Sequence, residues 1–275
     1  MKNITIVILF LLLSTTAMSQ SYDELFARGE QLIENKNYTA AIADYRKAIA
    51  LEPNNKMNEY AYGNLAFAQW MAGKSNDALR SYTMALRINP HSAKLLQQRA
   101  RLYMEIDEID SALVDYNKTL QIEPRNTHAL FMSAYIYGER EEFQKAYENY
   151  NTLLSIEPGN NRARLALALL YHKAKRVNDS LMLLGLLIDS EPDNAEYYYA
   201  RSNVERIEGQ TALAIMDLEK AIELAPNNSA YLVALAEIQL SQKEKHAARE
   251  SLDRAVKLGH DKNELTGLYR ECFKK

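Results

Sequence analysis

Residues 22–55 read YDELFARGEQLIENKNYTAAIADYRKAIALEPNN, and this stretch decides the fold. In its first half Leu25, Gly29 and Leu32 fall at i, i+4 and i+7, the stripe of an amphipathic helix. Ser21, followed three residues later by Glu24, forms a capping box that fixes where that helix begins. In the second half Ala41, Tyr45, Ala48 and Leu51 repeat the same geometry, and Asn35-Lys36-Asn37 makes the turn between the two. Pro53, followed by turn-prone asparagines, stops the second helix. The stretch is an antiparallel helix pair.

The pair recurs. Prolines stand at positions 53, 90, 124, 158, 192 and 226, separated by 37, 34, 34, 34 and 34 residues. In the same register the first helix carries a small residue at Gly29, Ala66, Ala100, Ala134, Ala168, Ser202 and Ala236. The second helix carries one at Ala41, Ala78, Ala112, Ala146, Ser180, Ala214 and Ala248. Four residues further on stand Tyr45, Tyr82, Tyr116 and Tyr150, then Leu184, Leu218 and Leu252. A residue without bulk lets two helix axes approach, and the tyrosine or leucine fills the wedge beside it. A single pair cannot bury its apolar face alone, so neighbouring pairs must stack.

These residues resemble the tetratricopeptide repeat, a helix–turn–helix unit of this period. The resemblance covers nearly the whole chain after residue 20. It implies an all-α fold, a right-handed α-solenoid of seven helix pairs forming one domain over 20–275. The units are 22–55, 59–92, 93–126, 127–160, 161–194, 195–228 and 229–262, closed by a capping helix over 263–275. On that last helix Leu265, Leu268, Tyr269, Cys272 and Phe273 share one stripe, which makes Cys272 a small buried hydrophobe rather than an intermolecular disulfide. Three places depart from the pattern, one being Thr119, Leu153 and Leu187 in place of the usual alanine late in the second helix, which implies wider spacing there. Lys56-Met57-Asn58 is an insertion expected to lengthen a loop, and Gly185 in mid-helix predicts a softer region over 177–190.

Residues 1–19 differ from all that follows. Lys2 gives a positive start, Ile4 to Leu13 is an apolar run, and Ala17-Met18-Ser19 places small residues at −3 and −1 of a cleavage site before Gln20. That is the pattern of a secretory signal peptide, and the run is too short to cross a bilayer as a helix. The expectation is an exported bacterial protein, periplasmic or secreted, without a transmembrane segment after cleavage. A single cysteine excludes an internal disulfide and any Cys-based zinc or CxxC site.

Composition narrows the chemistry further. The chain is 47% apolar and 25% charged, as globular proteins are, with a net charge of −3 that argues against nucleic acid as a partner. Gly73-Lys74-Ser75 ends like a phosphate-binding loop but lacks the glycine five residues earlier, where Ala68 stands. No GxG and no HExxH occurs. The reading is non-enzymatic, with no cofactor and no metal.

In the resembled family the first helices line a concave face, and the resemblance implies that ligands bind there. The second, fifth, ninth, twelfth and thirteenth positions of each unit face inward. The binding candidates so placed are Phe26, Tyr60, Phe67, Trp70, Lys94, Gln97, Arg101, His128, Phe131, Tyr135, Arg162, Lys173, Tyr199, Asn203 and Arg206. Aromatic and arginine side chains dominate interface energies, so Phe67, Trp70, Arg101 and Tyr135 weigh most. Only Asn64 and Lys94 match the clamp by which some family members grip a peptide C-terminus; Phe26 and Glu30 occupy its other positions. The chain is thus expected to hold another protein or a peptide segment. Homo-oligomeric packing into the groove is the rival, and a small-ligand receptor or enzyme using His128 or His172 stands further off.

Overall fold

The computed structural model describes residues 20–274, so the expected export segment, 1–19, lies outside the described residues. Among the described residues there are fifteen α-helices and no strand. They come in antiparallel pairs: α1 (Tyr22–Glu34) with α2 (Tyr38–Leu51), α3 (Asn58–Met71) with α4 (Ser75–Ile88), and α5 (Ala93–Glu105) with α6 (Ile109–Ile122). There follow α7 (Thr127–Glu139) with α8 (Phe143–Ile156), α9 (Asn161–Lys173) with α10 (Val177–Ser190), and α11 (Ala195–Ile207) with α12 (Thr211–Leu224). The last pair is α13 (Ser229–Ser241) with α14 (Lys245–Lys257), followed by the short α15 (Thr266–Phe273). The chain divides inside α6, between Asp115 and Tyr116, into two compact units.

The expected close-approach positions are buried in all seven pairs. Tyr45, Tyr82, Tyr116, Leu184, Leu218 and Leu252 are sealed from solvent, and Tyr150 nearly so. The reason for a small partner is sharpest at Gly29. A Cβ there would fall 2.7 Å from Cζ of the Tyr45 ring, inside any permissible contact. Leu51 is the exception to the predicted stripe. As the last residue of α2 it turns outward and is 52% exposed.

Two kinds of joint build the repeat. Within each pair the first helix ends on a left-handed residue: Lys36, Gly73, Asp107, Glu141, Lys175, Gly209 and Lys243, all with φ between 58° and 75°. The next N–H then reaches back to the carbonyl five residues earlier, as from Asn37 to Leu32 and from Arg176 to Tyr171, both at 2.8 Å. This Schellman closure satisfies carbonyls that the helix end leaves open. Gly73 of the Gly73-Lys74-Ser75 tripeptide is one of these turn residues, which explains it without a phosphate.

At three of the joints between pairs a Glu-Pro-x-Asn step does the work. Asn126 and Asn160 accept the backbone N–H of Ala129 and Ala163, capping the next helix, while their amides donate to Glu123 and Glu157 at 2.7 Å. Asn194 caps Glu196 and donates to Glu191 in the same manner. The inserted tripeptide is shorter as a loop than expected, because Asn58 already belongs to α3. Its buried amide donates to the carbonyls of Glu52 and Pro53, tying the helix start to the preceding turn.

In the first unit Tyr22, Leu25, Ala41, Tyr45, Leu65 and Ala68 form one apolar cluster. In the second unit successive clusters pass from Leu130, Tyr150 and Leu167 through Leu184 and Tyr197 to Leu218 and Ile238. The last cluster joins Leu232, Ala236 and Leu252 to Leu265 and Cys272. The closing helix therefore caps the final pair, although it begins at Thr266, after a turn, rather than at residue 263. Cys272 is buried as predicted, but Phe273 is not on the buried stripe. It stands 64% exposed with the Arg249 guanidinium 5.1 Å from its ring centre.

Candidate functional site

A polar belt between the two helices of a pair, not anticipated from sequence, sets the backdrop. Arg99 of α5 grips Asp115 of α6 through two hydrogen bonds of 2.7 and 2.9 Å, and a third N–H reaches Thr83 at 3.1 Å. Arg28–Asp44 and Arg201–Asp217 repeat this bidentate pair at the same sixteen-residue spacing. Asn149 donating to Ser133 occupies the same register at 2.8 Å. Elsewhere the belt is neutral: Ser81 donates to Gln69 at 2.7 Å and Ser251 to Gln239 at 2.9 Å. In the sixth pair Glu205 stands where those glutamines stand, and it is buried beside Asp217, with its Oε1 4.0 Å from Arg201. Burial, then the Asp217 charge, raises its carboxyl to about 7, and Arg201 offsets only part of this. These side chains orient helices and do not reach a groove. Their sequence signal was the Arg/Asp pair recurring sixteen residues apart in one register.

In the first unit the inward residues of α3 and α5 line a pocket of about 380 Å³ that includes Phe67, Trp70, Met71 and Arg101. Phe67 sets its ring edge against both Tyr38 and Trp70, with 6.5 Å between ring centres in each case. Trp70 donates its indole N–H to Glu105 at 2.8 Å, and the Arg101 guanidinium lies 5.7 Å from the ring centre. The tryptophan is thus already hydrogen-bonded. Phe26 packs its ring edge on Tyr45 at 5.7 Å and belongs partly to the core. Tyr60 is 55% exposed. Lys94 is exposed, and Gln97 turns its amide to the Ala93 carbonyl at 3.4 Å. Asn64, one of the two clamp-like residues, donates to the Tyr45 hydroxyl at 3.3 Å.

In the second unit α7 and α9 frame a larger and more apolar pocket of about 420 Å³. Phe131, Tyr135, Leu165 and Leu169 supply its walls, and Ala134, Gly138 and Ala166 leave the room. Arg162 at one end holds its guanidinium 4.4 Å from the Phe131 ring centre. Lys173 at the other end pairs with Glu139 at 3.1 Å. Tyr150 forms part of the lining, and burial raises its phenol well above the usual range. Phe131 also presents its edge to Tyr150 at 5.6 Å. Tyr135, grouped from sequence with Trp70, therefore belongs to this second pocket.

The remaining candidates are dispersed within the second unit. His128 is exposed with its ring edge toward Tyr116 at 5.8 Å, and Tyr199 lies tilted against Tyr231 with 4.8 Å between ring centres. Asn203 is half-buried and Arg206 exposed on the same helix. His172, the residue weighed for catalysis, lies 3.5 Å from Glu208. Among the described residues no cluster of His, Cys, Asp and Glu is arranged to hold a metal, and no helix is long and apolar enough to cross a membrane.

Comparison with known proteins agrees with this architecture. Two sequence profiles of the tetratricopeptide repeat match, one over residues 138–204 and 206–272 and the other over 22–55. A crystal structure of a tetratricopeptide repeat protein from Parabacteroides merdae is 28% identical, covers 93% of this chain and 100% of its own, and superposes with a TM-score of 0.74. YrrB, a tetratricopeptide protein with an unusual peptide-binding site, is similar in fold at a TM-score of 0.57 and 18% identity, over 69% of this chain and 96% of its own. A tetratricopeptide repeat-containing thioredoxin of Arabidopsis thaliana is 33% identical over 96 residues, which is 34% of this chain. This chain spans only 13% of that relative's length.

Proposed function

Because the chain belongs to the tetratricopeptide repeat family, we propose that it is a non-enzymatic scaffold of a bacterial envelope that holds a peptide or protein segment against its first helices. The observation that carries this reading is the α7–α9 pocket. Tyr135 and Leu169 stand 48% and 45% exposed over an apolar hollow, where burying them on a partner would be favourable. Aromatic and arginine side chains converge there and again at Trp70 and Arg101, the residue types that anchor interfaces. The peptide-binding site described for YrrB belongs to the same class of ligand. Export rests on the pattern of residues 1–19 and on the near-absence of cysteine.

Affinity capture from the source cell's envelope fraction tests the reading. The unmutated chain is compared with a variant carrying Phe67→Ala, Trp70→Ala, Arg101→Ala and Tyr135→Ala, with helix content checked by circular dichroism. Partners held only by the unmutated chain support it. Identical partner sets would remove the groove from the function. The mass of the N-terminus in that fraction checks export, with Gln20 the expected first residue.

A further inference from the structure

We infer that the α7–α9 pocket selects a segment in which a side-chain carboxylate stands about three residues from a bulky apolar side chain. This inference rests on the proposed binding role and specifies the ligand.

Arg162 supplies the charge. Its guanidinium lies over the face of Phe131, 4.4 Å from the ring centre, a contact that favours a charged arginine beside an apolar wall. Among the described residues no carboxylate lies within ion-pair distance of it, and the neighbouring acid at the far end, Glu139, is already taken by Lys173. The pocket therefore has one neutralised end and one cationic end. A guanidinium without a carboxylate of its own suits one on a ligand, which it can grip through two parallel hydrogen bonds.

The apolar half lies further along the same helix. Leu169 follows Arg162 by seven residues, so the two side chains are separated by about 10 Å along α9 at 1.5 Å per residue. In an extended polyproline II segment, side chains recur on one face every three residues with a rise of about 3.1 Å each. A carboxylate and an apolar side chain three residues apart then meet Arg162 and the Tyr135/Leu169 hollow together. Ala134 on the lining gives the hollow room for a Leu, Met or Phe side chain. The carboxylate can stand on either side of the apolar residue, since either chain direction places it at Arg162.

Random-peptide display on the full chain, followed by fluorescence anisotropy with synthetic peptides, tests this. The expected enrichment is an acidic and a bulky apolar residue three apart. Converting the acid to its amide should weaken binding about tenfold, as loss of a charge-assisted pair does. Arg162→Glu should weaken it at least as much and regain affinity for a peptide with Lys in the acid's place. Leu169→Glu, at a half-exposed site, should abolish binding while circular dichroism stays unchanged. Enriched peptides without a carboxylate, or binding indifferent to Arg162→Glu, would overturn the inference. Peptides that depend instead on Trp70 and Arg101 would overturn it while leaving the binding role intact, and failure of every peptide to bind would overturn both.

Discussion

Asp115 is almost wholly buried, and its two oxygens are both occupied by Arg99. Removing one partner of such a pair strands the other charge. Asp115→Ala should therefore cost about 3–5 kcal/mol, and Arg99→Met with Asp115→Leu should restore most of it, as read by urea unfolding. Lys175 illustrates the opposite case, a residue in the wrong conformation for its type. Its φ of 62° carries a steric penalty that glycine avoids, so Lys175→Gly should raise stability by about 0.5–1 kcal/mol. Glu205 adds a pH dependence. Its carboxyl titrates near 7 in the fold against 4.5 in the unfolded chain, so the folded state binds the extra proton between those values. Stability is fully present below pH 4.5, falls as pH rises to about 7, and stays lower above it. Glu205→Gln, the residue used by the second and seventh pairs, should flatten that profile and gain about 1–3 kcal/mol at pH 8. Thermal melts at pH 5 and pH 8 read both effects.

At the scale of the element, most of what the chain does was legible because it is local. Small residue, wedge residue, turn and proline stop each act within one pair, so spacing alone disclosed them. The Arg–Asp belt was not read, since Arg28, Asp44, Arg201 and Asp217 have the composition of a solvated face and only packing reveals that the carboxylates are inside. Of the α7–α9 pocket, Phe131, Tyr135, Arg162 and Lys173 were legible as inward residues, but not their meeting in one hollow with Leu165 and Leu169, which needs side chains from two successive pairs to be placed at once. Leu51 and Phe273 fitted an apolar stripe by spacing yet face out, because each lies at the last residue of its helix, where no further turn covers it. Helix α10 offers a test. A Cβ on Gly185 would meet nothing within 4 Å, so Gly185→Ala should add helix propensity without a clash, stabilising by about 1 kcal/mol. Amide exchange should show 177–190 less protected than α8 or α12 before the substitution and nearer to them after it.

At the scale of the whole molecule, stability in a repeat chain is a sum of unit terms and nearest-neighbour terms. Loss of an end element should then loosen its neighbour first. Truncation after residue 262 uncovers the apolar faces that Leu265 and Cys272 shield on α13 and α14. The expected outcome is early amide exchange confined to 229–257, with α7 to α10 unchanged. Uniform loss of protection from α7 to α14 would instead mean that the second unit unfolds in one step.

The Glu-Pro-x-Asn joints have a consequence for ancestry. At three joints the asparagine (Asn126, Asn160, Asn194) caps the helix that follows it and is anchored by a glutamate three residues before, so these joints satisfy their own backbone within a handful of residues. A segment of 34 residues cut at two such joints carries a complete set of closures with it. Duplicating or deleting one leaves no orphaned cap at either seam. A gene built this way can change its number of copies by unequal recombination and still encode a chain that folds, which gives groove length a heritable dial independent of the chemistry along its walls.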